Sequence, residues 1–286
     1  MILYVFQYSY YCIRKVLIMR NKKSTILYST LVILSSILIF YLLISRNTIS
    51  KIHFIQFESY VAAPEKSQYT IDLVYFVNKF QKDIIEDKNI DKIELKNAED
   101  VLNISNFSII KGENTNKYSI KTLSLEIDFL FTSIKKVQYV NIYFTDGTKE
   151  SFKIGQWIFD INSIPIEGNH LSIGDKYPFM SKFFDGCIVS VNNTSQSDIF
   201  IKSINIDLPN IKFLDLDKSI EIKKGSSFNT RVIPDGTYNK YNFYFIKPKI
   251  VYSIGEVEYT FYPYGIHYGL LNLTEDAIKN EINKTK

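Results

Sequence analysis

At 286 residues and 46% hydrophobic content, the chain is long enough to bury one large or two ordinary cores, which excludes a disordered polypeptide. Its net charge of +4 does not mark a nucleic-acid binder, because Arg14, Lys15, Arg20, Lys22 and Lys23 concentrate in residues 1–44 with no acid among them. The other 29 of the 34 bases face all 30 acids, so the rest of the chain is nearly neutral.

Met1–Ile13 is apolar and aromatic but too short to span a bilayer, whereas Met19-Arg20-Asn21-Lys22-Lys23 has the form of a signal-anchor start. Translation is therefore expected to begin at Met19, with residues 1–25 forming a cytoplasmic segment. Ile26–Ile44 then offers 19 residues without a charge. At about 1.5 Å per residue, such a helix crosses a hydrocarbon core of about 30 Å. Five bases precede it and only Arg46 and Lys51 follow closely, which keeps the N-terminus in the cytoplasm and places the remainder outside. A cleaved secretory signal fits less well: the apolar run is long for one, and Val61-Ala62-Ala63 lies far downstream and is followed by Pro64.

Strand patterns dominate the chain beyond this helix. Ile52–Tyr60, Ile90–Leu95 and Val101–Ile110 read as strands, and Tyr69–Ile85 as a strand running into a short helical turn. The clearest alternation is Leu123, Leu125, Ile127, Phe129 and Phe131, one apolar face of a half-buried strand. Val137–Phe144 and Lys149–Phe159 flank Asp146-Gly147, a hairpin turn. Between Asp160 and Pro178, Pro165, Gly168 and Gly174 suggest a linker.

Strands resume at Cys187–Val191 and Ile199–Leu208. In the second of these the apolar phase shifts from Ile199 and Ile201 to Ile204, Ile206 and Leu208, which implies a bulge near Lys202-Ser203. Ser219–Ile222 and Phe228–Ile233 come next, and Tyr241–Tyr252 and Glu256–Tyr262 flank Gly255, with Pro248 marking an edge strand or a bulge. After Thr274, Glu275 and Asp276 in a first turn, with Ile278 and Ile282 four apart, predict a short amphipathic helix. The expected fold is all-β: one transmembrane helix over 26–44, two immunoglobulin-like β-sandwich domains over 45–165 and 166–270, and a C-terminal helix or tail over 271–286.

Chemistry is sparse. Cys12 and Cys187 fall on opposite sides of the expected span, so no intrachain disulfide is expected, and Cys187 opens an alternating run that reads as a buried strand position. The order His170, Cys187, Arg231 resembles that of sortase-like cysteine transpeptidases, in which imidazole generates a thiolate and guanidinium holds an oxyanion. The Thr-Leu-x-Thr-Cys motif of those enzymes is absent, since Phe184-Asp185-Gly186 precedes the cysteine. His53, His170 and His267 are isolated, without zinc-site spacing, and there is no Gly-x-Ser-x-Gly elbow, EF-hand loop, P-loop or dinucleotide fingerprint. No cofactor is expected.

An aromatic cluster including Tyr238, Tyr241, Tyr259, Tyr262 and Tyr264 forms the expected contact surface, although alternation sends about half of the cluster into a core. The expectation is a membrane-anchored binding or accessory module, with the bilayer and an envelope protein or cell-surface component as partners and neither nucleic acid nor nucleotide among them. A thiol enzyme using Cys187 and a purely structural ectodomain are the alternatives.

Overall fold

A computed structural model describes residues 22–47, 51–163, 169–208, 211–212, 219–232 and 243–284. The expected start at Met19 and the aromatics Tyr238 and Tyr241 lie outside them. Contacts divide the chain into two units, one holding residues 1–50 with Asn78–Ile84, the other Lys51–Val77 with Ile85–Lys286.

In the first unit, a helix runs over Lys22–Asn47. Its side chains are described over residues 28–40, where Leu31, Leu34, Ile37, Leu38 and Phe40 are all more than half exposed, with Phe40 at 63%. Among the described residues no helix is long and apolar enough to cross a membrane, and within the expected span Ile26–Ile44 the side chains are described over 28–40.

The second unit is built of strands. Its first half supplies β1 (His53–Phe54), β2 (Phe57–Pro64), β3 (Gln68–Asn78), β4 (Ile90–Leu95), β5 (Leu102–Asn114), β6 (Tyr118–Phe129), β7 (Ser133–Phe144) and β8 (Lys149–Asn162). Then come β9 (Leu171–Ile173), β10 (Met180–Ser181), β11 (Cys187–Asn193), β12 (Ile199–Asn205), β13 (Asp207–Leu208), β14 (Ile211–Lys212), β15 (Ile220–Ile222) and β16 (Ser227–Val232). The last four are β17 (Phe243–Lys247), β18 (Lys249–Ile254), β19 (Val257–Phe261) and β20 (Ile266–Tyr268).

One seven-stranded sheet, ordered β10-β20-β17-β2-β8-β7-β4, runs through both halves of the sequence. Around it stand the sheets β1-β3-β6-β5, β16-β11-β9 and β15-β12-β18-β19 and the ribbon β13-β14. The centre of the large sheet is parallel: Phe57 of β2 pairs with Phe243 of β17 on one side and Gly155 of β8 on the other. Parallel strands need cover on both faces, and both β2 and β17 are buried along nearly their whole length.

Alternation assigns each face. Tyr60, Ala62, Ile158, Tyr244, Ile246, Ile266 and Tyr268 enter a core with Cys187, Val189, Val191, Ile201 and Tyr252. The other parity holds Phe57, Trp157, Phe159 and Phe245, which meet Tyr69 and Phe129 from the sheet containing β3 and β6: Tyr69–Phe245 and Phe129–Phe159 ring centroids are each 6.4 Å apart. The all-β, sandwich-like fold therefore holds, with strands from both sides of 165/166 sharing one sheet whose two faces serve two cores.

Several local expectations are met. Leu123, Leu125, Ile127 and Phe129 are fully buried, Asp146-Gly147 turns the β7–β8 hairpin with Gly147 at φ 85°, and the β12–β18 register shifts between Ile201 and Ser203. Ile278 and Ile282 are buried on the C-terminal helix Glu275–Lys284, whose Ala277 N donates to Thr274 Oγ1 at 3.2 Å.

Others are corrected. Phe131 is 61% exposed because β6 ends at Phe129, so the alternation outlasts the ladder. Ile52–Tyr60 divides into β1 and β2 of different sheets, whereas β3 does run into a single turn, with Gln81 N donating to Asn78 O at 3.0 Å. The Asp160–Pro178 stretch contains β9, and residues 164–168 lie outside the described ones.

Gly155 makes the central β2–β8 contact possible. At φ 100°, a Cβ there would sit 2.1 Å from Phe57 O and 2.4 Å from Phe57 N, both backbone atoms that cannot swing away. Gly155→Ala is expected to destabilise the fold by ~3 kcal/mol or more in urea titration, and a loss below ~1 kcal/mol would contradict this role for the close approach.

Candidate functional site

Pro248 separates β17 from β18, and with no N–H to donate it sits where the chain leaves one sheet for another, a change of sheet rather than the expected edge strand or bulge. A lysine stands on each side. Lys247 is buried, donates from Nζ to Ala62 O at 2.8 Å, and lies 5.0 Å from the Tyr69 ring centre and 5.2 Å from that of Tyr262. Burial pushes its ammonium down to about 7.

Lys249 donates from Nζ to Asn162 Oδ1 at 2.7 Å and stands 3.5 Å from Asp160 Oδ2. The same carboxylate oxygen accepts from Tyr60 OH at 2.5 Å. Burial, then the Asp160 charge, raise the Tyr60 phenol far above its ordinary range, so it stays a neutral donor. Burial, with Asp160 again, pushes Tyr262 up to about 12.

The described tyrosines of the expected surface have different partners. Tyr259 stacks on Tyr252 at 5.5 Å and meets His170 edge-on at 4.6 Å, while Tyr262 joins Lys247. Tyr264 is stacked on Phe179 at 4.4 Å, with the rings 3° from parallel, and its carbonyl accepts from Tyr177 OH at 2.6 Å.

Phe179 leads to residues that alternation does not reveal. On the segment around β10, Phe179 and Phe183 are each 67% exposed and Met180 is 48% exposed, and Leu271 beyond β20 is 54% exposed. The segment is held in place: His267 N donates to Phe179 O and Gly269 N to Ser181 O, both at 3.0 Å, while Phe184 is inserted against Tyr244 and Tyr268. The signal in the sequence is the pair of doublets Phe179-Met180 and Phe183-Phe184 beside Pro178, without alternation to say which members face water.

The transpeptidase arrangement is not formed. Cys187 is fully buried at the start of β11, where burial pushes its thiol up to about 12, away from the thiolate such an enzyme requires. His170 instead lies with Nδ1 3.3 Å from Tyr252 OH, and Arg231 is paired with Asp185. Among the described residues no cluster of three or more His, Cys, Asp or Glu could hold a metal ion.

No family model and no curated protein matches this chain. Solved structures similar to it include a protein of unknown function from Porphyromonas gingivalis W83, at 11% identity and TM-score 0.26, over 77% of this chain and 99% of that one. The D00-D0 domain of Intimin aligns at 11% identity and TM-score 0.21, over 76% and 99% respectively. A cohesin module from the Clostridium perfringens ATCC13124 family 33 glycoside hydrolase aligns at 10% identity and TM-score 0.18, over 41% and 100%. Likeness at this level carries no argument about function, and the sandwich assignment stands on the strand order and the two cores.

Lys247 predicts a pH dependence. Its pKa is about 7 when folded and 10.5 when exposed, so between these values the unfolded chain holds a proton that the folded chain has lost. Stability is expected to rise as pH goes from 7 to 9, with the rise abolished in Lys247→Met. An equal rise in that variant, measured by urea titration, would assign the effect to other groups.

Proposed function

We propose that this chain is a single-pass membrane protein whose strand-rich part lies outside the cytoplasm and binds another envelope protein or cell-surface protein. The helix Lys22–Asn47 supports the anchor, because large apolar side chains are exposed all around its described stretch instead of along one face. In water such a helix would be unstable, whereas lipid accommodates it at every azimuth. The five bases before Ile26 orient it with the N-terminus inside.

The observation that carries the binding role is the exposure of Phe179 and Phe183, 67% each, on a segment whose backbone is fixed to β20 and whose Phe184 is inserted among core aromatics. Large aromatic side chains held exposed by a rigid support match the anchors of protein interfaces, where removing one typically costs about 2 kcal/mol or more. Tyr264, stacked behind Phe179, extends this surface, so the contact draws on part of the tyrosine-rich C-terminal region and part of the segment near β10.

A photo-crosslinking residue placed at Phe183 in intact cells is expected to capture one discrete protein partner, with the adduct reduced at least ~10-fold by Phe179→Ser. Thermal unfolding of Phe179→Ser should match that of the parent chain. A capture unaffected by Phe179→Ser, or no adduct from Phe183, would contradict the assignment of this surface.

A further inference from the structure

Asn162 ends β8 in the seven-stranded sheet, and Lys249 opens β18 in a different sheet, 87 positions along the chain. Their side chains meet, with Lys249 Nζ 2.7 Å from Asn162 Oδ1. Asn162 Nδ2 donates to Asp160 O at 2.9 Å, which fixes the carboxamide with its oxygen toward the amine. The Asp160 carboxylate lies 3.5 Å from the same Nζ, and the Lys249 and Asp160 side chains are only 17% and 16% exposed. Tyr60, which donates to Asp160 Oδ2, belongs to the core packed against this face. An amine, a carboxamide and a carboxylate are thus held together where little water reaches them, the condition under which an intramolecular acyl transfer gains most from fixed geometry.

We propose that the Lys249 amine condenses with the Asn162 carboxamide to form an amide cross-link between β18 and β8. Asp160 takes one proton from the Lys249 ammonium, and the freed electron pair adds to Asn162 Cγ. Asp160 then passes the proton to Nδ2, and the Cγ–Nδ2 bond breaks. The second proton on the new linkage nitrogen departs with the released ammonia as ammonium. One C–N bond forms and one breaks, without any change of oxidation state and without a co-reactant.

Tyr60 is a positioning residue in this scheme, since its phenol, kept neutral by burial and by Asp160, holds the carboxylate oxygen beside the amine. The link would close a loop of chain in a domain whose described cysteine, Cys187, is free, and so limit the unfolded ensemble as a disulfide does.

The test is peptide mapping by mass spectrometry of the full-length chain purified in detergent. The expected product is a branched peptide joining the segments that contain Asn162 and Lys249, lighter than their sum by one ammonia. Separate linear peptides in the parent chain overturn the proposal, and so does a branched peptide lighter by one water and mapped to Asp160. Lys249→Arg should yield linear peptides only. Asp160→Ala, shown to be folded by the fluorescence of buried Trp157, should also remain unlinked; a link formed there in full yield would remove the proton-transfer role from Asp160 and overturn the mechanism.

Discussion

The parallel pairing of β2 with β8 and β17 is the constraint on which the rest of the architecture depends. A parallel strand flanked by neighbours on both edges exposes two faces, and where helices do not cover them both must be covered by other strands. Here the sheet β1-β3-β6-β5 lies against one parity of side chains, and β11, β12 and β18 contribute to the core on the other. The first core is incomplete without Phe245 and His267, which arrive from the C-terminal part of the chain. The two halves of the sequence therefore share both a sheet and a core.

What is legible in the sequence is local. Alternation over Leu123–Phe129, the Asp-Gly turn, the phase shift at Lys202-Ser203 and the amphipathic C-terminal helix all depend on residues close in sequence, and each is present in the structure. The pairing of Phe57 with Phe243 does not depend on such residues. A strand buried on both faces has no alternation, so Phe57–Ala63, with Glu58 and Ser59 buried within it, and Phe243–Ile246 carry no indication of their neighbours. Pro248 is legible as a break in a ladder, but whether a break marks a bulge, an edge or a change of sheet is decided by partners far along the chain.

The same limit applies to the candidate site. Aromatic density singles out Tyr259, Tyr262 and Tyr264, yet those residues serve three environments: a stack beside His170, a flank of the buried Lys247, and a support for Phe179. Phe179 and Phe183 are exposed because β10 is a two-residue strand at the edge of the large sheet, with Phe184 pointing inward. No pattern within that segment distinguishes its inward from its outward phenylalanines. Nothing local marks Lys247 and Lys249 either, and only the change of sheet at Pro248 brings them beside Tyr69, Asp160 and Asn162.

The two cores are joined through β2, β8 and β17, and each contains its own reporter. Trp157, the one tryptophan, is fully buried on the first face, and Cys187 is fully buried in the second core. The most direct measurement is equilibrium urea unfolding followed both by Trp157 fluorescence and by alkylation mapped to Cys187. Coincident transitions at one midpoint are the predicted result; Cys187 becoming reactive at a urea concentration where Trp157 remains native would show that the second core opens alone and would contradict the shared sheet as the element that unites the fold.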